Sequence, residues 1–271
     1  MGEEQILGVT KVVNALLGKP AGALLALLHI KPDNADYPIT NSFSMELLVI
    51  LLAVIFFLWL KARISVDRPG PTQQTMEFLI TNPMGVGMKD LVTDMVGHGA
   101  ERHVALFGTI GIFILFSNLI SLVPGFASPT ATTTVPLGCA IIVFLYYNRL
   151  GIGHHGPLGY AKTLMGPVPL ISPLMVLVET ISHFARLLSL TVRLWANMMV
   201  SELIYVSFLG LSLALFGFLN HLNPVGYASA VVPVAIPLAM ALLHVFVAVL
   251  QAFVFVMLSI LYLGLAISEE H

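Results

Sequence analysis

Charged and polar side chains recur at helical spacing inside a long apolar tract in the second half of the chain. Successive members lie three or four residues apart, which places all of them on one face of a helix, within about 40° of Arg193. The members of this polar line are Glu179, Ser182, Arg186, Ser189, Arg193 and Asn197. A charged side chain costs about 2.5–3.5 kcal/mol at the centre of a bilayer on insertion scales, so its retention indicates a function or a partner.

Arg193 lies 20 residues after the start of this tract near residue 173, and its own helix offers no carboxylate three or four residues away. Its partner must therefore lie outside that helix. The guanidinium keeps its proton in proteins, so Arg193 cannot carry protons and acts as a fixed positive charge. Such a charge favours the ionised form of a nearby carboxylate, which then releases its proton, and it repels a proton that would cross directly.

A second polar set involves this tract and the next one. Glu202 lies nine residues after Arg193, on about the opposite side of the same helix. In the following tract, His244 and Gln251 lie seven residues apart and share one face, with Tyr262 in line with Gln251. A histidine titrates near neutrality and burial raises the pKa of a glutamate, so Glu202 and His244 have the chemistry of a proton relay.

The depths of these residues also match. If the two tracts pair antiparallel about a turn at residues 217–226, Gln251 and Arg193 each lie some 28 residues from that turn, and Glu202 and His244 lie 20 and 21 residues from it. A single histidine in a membrane is more often a hydrogen-bonded structural residue than an active one. The matching depth favours the functional interpretation of His244.

Other members of the polar line have a structural interpretation. Ser182 and Ser189 are typical of helix–helix contacts in membranes. Glu179 and Arg186 can extend their charged ends to the membrane surface. His183 lies ten residues before Arg193, about 80° away from the polar line, so we interpret it as structural.

Composition indicates a membrane protein. Hydrophobic residues make up 58% of the chain and charged residues 10%, whereas soluble domains carry about 25% charged residues. The single cysteine, Cys139, excludes a disulfide framework and a cysteine-based metal site. A net charge of −2 argues against a nucleic-acid partner. The sequence contains no GxxxxGK[ST] phosphate loop, so we expect nucleotide chemistry to occur on other chains.

Hydropathy predicts an all-α membrane protein with five passes, at residues 44–61, 104–125, 131–148, 173–215 and 228–267. The 39 apolar residues from Ser229 to Ile267 would span about 58 Å as one helix, roughly twice the hydrocarbon thickness of a bilayer. We therefore expect the last two passes to be long, steeply tilted, antiparallel helices that fit a curved partner. Residues 1–43 are predicted to be an extramembrane or interfacial segment, and residues 44–271 a single membrane domain.

The distribution of lysine and arginine predicts the orientation. The connections 61–103 and 149–172 contain basic residues, whereas 124–130 and 216–227 contain none. Basic loops stay preferentially in the cytoplasm. The C-terminus is therefore predicted to be cytoplasmic and the N-terminus to lie outside.

The two polar tracts resemble the a subunit (subunit 6) of F-type ATP synthases, over most of the chain after residue 44. The most specific stretches are SLTVRLWANMMVSELI and PLAMALLHVFVAVLQAFVFVMLSILYL, where RLxxN is followed by an acid and, downstream, by HxxxxxxQAF. The stretches NLISLVPGF, SPTATTT and VETIS support the resemblance. The loop SPTATTTVP departs from the family pattern, because it lacks the acidic and asparagine residues that many relatives place there.

The resemblance implies a proton-conducting stator subunit of the ATP synthase membrane sector, which is not an enzyme on its own and has no cofactor. Protons would reach and leave the rotor carboxylates through two offset half-channels, and rotation would drive ATP synthesis on other subunits. The implied partners are the c-subunit rotor ring, the b-subunit peripheral stalk, the remaining subunits and the lipid of a bacterial plasma membrane. In this family pattern Arg193 matches the essential stator arginine, and Asn197 and Gln251 match its polar neighbours.

The resemblance also assigns residues to the two half-channels. Glu202 and His244 match the polar pair of the half-channel by which protons enter during synthesis. Asn118 matches a polar residue close to the outer entrance. Glu179 matches an acid near the cytoplasmic half-channel.

Two other classes of membrane protein use similar residues. A secondary antiporter would use intramembrane arginine, glutamate and histidine, but the sequence shows neither a clear inverted repeat nor paired helices broken by glycine or proline. A haem- or quinone-binding redox subunit would use His183 or His244, since histidine is a common haem ligand. A haem absorption band in the purified protein would separate the redox class from the stator class.

Overall fold

A computed structural model describes residues 7–27, 29, 36–65, 69–80, 87–97, 101–123, 125–163, 172–222 and 231–267. These ranges fold into α-helices and short 3₁₀ turns. The helices are α1 (Gly8–Leu27), α2 (Asn41–Arg63), α3 (Pro71–Ile80), α4 (Met88–Val96), α5 (Glu101–Leu119), α6 (Thr134–Thr163), α7 (Ser172–Leu222) and α8 (Val231–Ile267). Two 3₁₀ turns, Ile120–Leu122 and Pro129–Ala131, follow α5.

Five of these helices are long and apolar enough to cross a membrane. The candidate spans are Asn41–Arg63, Glu101–Leu122, Thr134–Tyr160, Ser172–Phe218 and Pro233–Ile267. The last two belong to helices of 51 and 37 residues. The predicted fold class, an all-α membrane protein with five passes of which the last two are unusually long, is confirmed. The tilt of those helices stays a prediction.

Helix α6 continues well past residue 148, where the apolar run of the third predicted pass ends. It extends to Thr163 with one non-helical residue inside, Gly156, at φ 71° and ψ 164°. A positive φ is readily adopted by glycine, and Pro157 disfavours helical geometry at the residue before it. The sequence GHHGPLGY therefore introduces a kink, and α6 consists of two helical segments that meet at Gly156.

The two prolines near the start of α8, in contrast to Pro157 in α6, do not interrupt their helix. Pro233 lies within its first turn, where the missing N–H has no intrahelical acceptor, and Pro237 lies inside the helix without ending it. Helix α7 reaches Leu222, six residues into the predicted turn at 217–226. The remainder of that turn lies outside the described residues.

The chain divides into two compact units, and boundaries between them fall inside α2, α5, α7 and α8. Unit 1 comprises Met1–Ile55, Leu115–Thr132 and Asn197–Val249. In this unit α1 is held to the start of α2 by Asn14, whose side chain bonds both the N–H and the C=O of Ile39 at 3.0 Å. The predicted interfacial segment thus contains a helix that is attached to the chain entering the first pass.

Unit 2 comprises Phe56–Ile114, Thr133–Ala196 and Leu250–His271. Here the end of α8 packs closely against its neighbours. A Cβ on Gly264 would lie 2.7 Å from the carbonyl oxygen of Met95 in α4, and one on Gly151 in α6 would lie 3.0 Å from the carbonyl oxygen of Ala266. Small residues let helix backbones approach this closely. These contacts fix the part of α8 that carries Tyr262.

Candidate functional site

His244 is the centre of a buried polar network in unit 1. Its side chain is 1% exposed, and both ring nitrogens have partners. Nδ1 lies 2.9 Å from Ser201 Oγ, and Nε2 lies 3.1 Å from Ser121 Oγ and 3.2 Å from the carbonyl oxygen of Asn118. A carbonyl only accepts, so the Nε2 contact with Asn118 requires a proton on Nε2. A hydroxyl both donates and accepts, so Ser201 satisfies Nδ1 in the neutral ring and in the imidazolium alike.

Glu202 joins this network from the other end. Its two carboxylate oxygens accept the backbone N–H of Ser128, at 3.4 and 3.3 Å. Ser128 Oγ lies 2.7 Å from Thr130 Oγ1, and Thr130 donates to Asn118 Oδ1 at 2.6 Å. The backbone carbonyl oxygen of Asn118 in turn accepts a hydrogen bond from the His244 ring. Among the described hydrogen bonds Glu202 and His244 do not meet directly, and the Ser128–Thr130–Asn118 chain links them.

The network is held in place by contacts to the surrounding helices. Asn118 is fully buried and donates its amide to the carbonyl oxygen of Ala248 in α8, at 3.2 Å. Tyr205, one turn after Ser201 on α7, donates to the carbonyl oxygen of Leu122 at 3.3 Å, and its ring lies 6.0 Å from that of His244. These bonds connect α5, α7 and α8 within unit 1. We call Asn118, Ser121, Ser128, Thr130, Ser201, Glu202 and His244 the His244 cluster.

A second, charged cluster lies in unit 2. Glu179 Oε1 accepts Arg186 Nη2 at 3.1 Å and lies 3.7 Å from His183 Nε2. These three residues follow one another at steps of four and three along α7, so they share one face of the helix. The guanidinium of Arg186 also lies over the ring of Tyr262, 5.7 Å from its centre. The salt bridge and this cation–π contact hold Arg186 between two helices.

Aromatic residues of α6 and α8 complete this second cluster. Tyr147 is buried, its hydroxyl lies 3.3 Å from His183 Nδ1, and the two rings stack with centres 5.9 Å apart. Tyr160 approaches His183 edge-on at 6.5 Å and donates its hydroxyl to Asn148 Oδ1 at 2.9 Å. We call Tyr147, Tyr160, Glu179, His183, Arg186 and Tyr262 the Glu179 cluster.

Arg193 belongs to neither network. It is exposed, and its Nη2 donates to Ser189 Oγ at 3.4 Å. The ion pairs formed among the described residues do not include it. Leu188 and Val192 beside it are 58% and 50% exposed. A permanent cation thus lies on a surface of α7 that the described part of the chain leaves exposed.

The two polar neighbours assigned to Arg193 differ in exposure. Asn197 is exposed, whereas Gln251 is 1% exposed. Within the described residues no group of three or more histidine, cysteine, aspartate or glutamate side chains is placed to hold a metal ion. Both ring nitrogens of His244 are engaged in hydrogen bonds rather than directed at an open ligand position.

The structure adds residues that sequence reasoning left out. Ser128 and Thr130 lie in the SPTATTT loop, which lacks acidic residues, and here hydroxyls supply the polar contacts. Ser121 was identifiable in principle, because it follows Asn118 by one helical turn. His183 was interpreted as structural from its angle alone, and its contacts with Glu179 and Tyr147 could not be read from that angle.

The ATP synthase A chain family model matches residues 43–264. The chain belongs to this family. It is 36% identical to ATP synthase subunit a of Koribacter versatilis over 269 residues, 98% of both chains. It is 38% identical to ATP synthase subunit a of Solibacter usitatus over 258 residues, 95% of this chain and 99% of the relative. ATP synthase subunit a 3 of Pelobacter propionicus is 36% identical over 248 residues, 92% of this chain and 94% of the relative.

Membership confirms the resemblance inferred from the RLxxN and HxxxxxxQAF stretches. The matched range contains all of α5 and α6, all of α7, and α8 as far as Gly264, so both clusters and Arg193 lie within the family region. Together with the five long apolar helices, it makes the chain a multi-pass integral membrane protein of the ATP synthase A chain family.

Proposed function

We propose that the chain is the proton-conducting stator subunit of an ATP synthase membrane sector, where it couples proton flow to rotation of a c-subunit ring. The observation that carries this proposal is Arg193, an exposed cation on a long apolar helix, outside the ion pairs of the described residues. In sequence it lies ten residues after His183 and eight before Ser201, between the two polar clusters of α7. A fixed charge whose sequence position on α7 lies between those of two polar networks fits a device in which a moving carrier takes protons from one network and delivers them to the other.

The exposed surface around Arg193 is where a rotor carboxylate would pass. An apolar environment keeps a carboxylate protonated, and a nearby cation favours its ionised form. The carboxylate therefore gives up its proton on reaching Arg193 and takes one up after leaving it. The guanidinium stays charged throughout and repels protons that would move directly between the half-channels.

The His244 cluster is assigned to the half-channel that opens to the outside, and it supplies protons to the rotor during synthesis. Glu202 and His244 accept and release protons, and the contacts of Ser128, Thr130 and Asn118 hold them in one hydrogen-bonded network. Asn118 holds these groups in position through its bonds to Thr130 and Ala248.

The Glu179 cluster is assigned to the cytoplasmic half-channel. The lysine and arginine bias of the connections supports a cytoplasmic position for this side and for the C-terminus in a bacterial cell. One charge crossing a potential of 100 mV yields about 2.3 kcal/mol, so several protons must pass for each ATP. A multi-site rotor meets that requirement, while nucleotide chemistry occurs on other subunits and the b-subunit stalk holds this chain in place.

Arg193→Ala tests the proposal directly. In inverted membrane vesicles that contain the complete complex, we expect ATP synthesis and ATP-driven proton pumping to fall to background. Assembly is checked by co-purification of the other subunits and by ATP hydrolysis. Arg149→Ala is the matched control, because Arg149 is also an exposed arginine of this chain but lies outside both clusters. Normal synthesis in an assembled Arg193→Ala complex would refute the proposal.

A further inference from the structure

The Glu179 cluster contains a histidine that the function above does not use. We propose that His183 is a second proton-accepting group of the cytoplasmic half-channel, exchanging protons with Glu179 and oriented by Tyr147. This inference rests on the proposed function and deepens it. Three contacts carry it: Nε2 lies 3.7 Å from Glu179 Oε1, Nδ1 lies 3.3 Å from the Tyr147 hydroxyl, and the ring stacks on Tyr147 at 5.9 Å.

The contacts of the ring suit both of its protonation states. In the neutral state the Tyr147 hydroxyl donates to Nδ1, so the ring proton sits on Nε2 and is directed towards Glu179. When a proton binds at Nδ1, that N–H donates to the Tyr147 oxygen, whose hydroxyl hydrogen turns away. Transfer of the Nε2 proton to the Glu179 carboxylate then leaves a neutral ring that carries its proton on Nδ1. A turn of the ring restores the first tautomer, so one proton enters and one leaves in each cycle.

The charges around His183 explain why a second acceptor is useful. Glu179 pairs with the permanent cation Arg186 at 3.1 Å, so one of its carboxylate oxygens already accepts a hydrogen bond from the guanidinium. The imidazole of His183 offers a second group beside it that can bind and release a proton. The other titratable groups of the cluster are tyrosines: Tyr147 and Tyr160 from α6 and Tyr262 from α8.

The exposed fractions of the His183 and Glu179 side chains indicate the order in which a proton would visit them. The side chain of His183 is 14% exposed and that of Glu179 is 32% exposed. Along α7, His183 is also nearer in sequence to Arg193, by ten residues against fourteen. Protons released from the rotor therefore reach His183 first and leave to water past Glu179, and protons taken up during ATP hydrolysis follow the reverse order.

The test compares His183→Gln with wild type in inverted vesicles, whose cytoplasmic side faces the medium. ATP-driven proton uptake is measured from pH 6 to pH 8.5 and divided by the rate of ATP hydrolysis in the presence of an uncoupler. We expect the wild-type ratio to rise as the pH of the medium falls across this range. In His183→Gln that rise is lost, and the ratio at pH 6 falls by about threefold or more, a fraction of the usual contribution of a general acid or base because Glu179 remains.

His103→Gln is the matched control. His103 is also buried and also contacts a tyrosine hydroxyl, with Nδ1 2.7 Å from Tyr146 Oη and the ring centres 5.8 Å apart. It forms no ion pair with a carboxylate in the described part of the chain. We expect His103→Gln to keep the wild-type pH profile.

Tyr147→Phe provides a second variant that keeps the stacked ring and removes only the hydroxyl. The bond from the imidazolium to Tyr147 is charge-assisted and stronger than the bond to the neutral ring. Its loss disfavours the protonated ring, so the midpoint of the pH profile should move to lower pH. Unchanged profiles in both His183→Gln and Tyr147→Phe would overturn the inference. That outcome is distinguishable from failure of the proposed function, which would show as retained coupling in Arg193→Ala.

Discussion

The two clusters solve the problem of buried polarity in different ways. The His244 cluster is largely neutral: one histidine and one glutamate are separated by hydroxyl and amide groups, and most of its side chains are buried. The Glu179 cluster is ionic: a guanidinium and an imidazole each lie within 4 Å of the Glu179 carboxylate, and three tyrosines contact these residues. A hydrogen-bonded network passes protons by rearranging hydrogens, whereas a salt bridge stabilises charge in one place.

This difference predicts which kind of substitution disrupts each cluster most. In the neutral network every member depends on its neighbours, since an unpaired buried polar group costs about 1–3 kcal/mol. In the ionic cluster the balance between Glu179 and Arg186 matters more than any single hydrogen bond. Variants that remove a hydrogen bond should therefore harm the first cluster more, and variants that remove a charge should harm the second more.

The largest effect is expected from His244→Ala. This change removes the ring that bonds Ser121, Ser201 and Asn118, and it removes a titratable group from the proposed relay. ATP-driven proton pumping in inverted vesicles should fall by about tenfold or more. Uncoupled ATP hydrolysis should be retained. Pumping at the wild-type rate would contradict the relay role.

A smaller effect is expected from Arg186→Leu, which turns the ionic cluster into one with an excess negative charge. Glu179 then has only His183 as a cationic partner, so the protonated ring is favoured. The midpoint of the pH profile of proton uptake should move to higher pH, opposite to the shift expected for Tyr147→Phe, and the rate should fall by about threefold to fivefold.

Arg186→Lys sharpens this comparison. A lysine keeps the positive charge but loses the planar group that lies over Tyr262. If charge balance governs the cluster, the midpoint in Arg186→Lys should stay close to the wild-type value. If Lys and Leu shift it equally, the stacking of Arg186 on Tyr262 matters and our account of the cluster is wrong.

The sequence predicts the helices better than it predicts the contacts between them. Unbroken apolar runs determine the five passes, and the Gly–Pro step at Gly156 explains why α6 bends where the apolar run had already ended. Arg193, Glu202 and His244 stand out because each is costly in a membrane. The contacts of Glu202 and His244 within the His244 cluster involve Ser128 and Thr130, ordinary loop residues whose role arises only when α5, α7 and α8 meet.

His183 is a second residue whose contacts with other helices could not be predicted from the sequence. Its angle on α7 separates it from Arg193, and a single-helix projection contains no information about α6. The stacked Tyr147 comes from that helix, 36 residues earlier in the chain. Chemistry shared between helices is therefore visible only after packing.

The smallest effect is expected from Thr130→Val, which tests whether the hydroxyl chain conducts protons or only holds the loop. Valine keeps the branched shape but leaves Asn118 Oδ1 without the donor that lies 2.6 Å away. If the chain conducts, pumping should fall about twofold to threefold with a larger solvent isotope effect, while complex assembly changes little. Thr109→Val is the control, because Thr109 is exposed and donates only to the carbonyl oxygen of Ala105 in its own helix. Equal rates in the two variants would mean that Glu202 and His244 exchange protons by a route that does not pass through Thr130, and the hydroxyls of the loop would then serve to position Asn118.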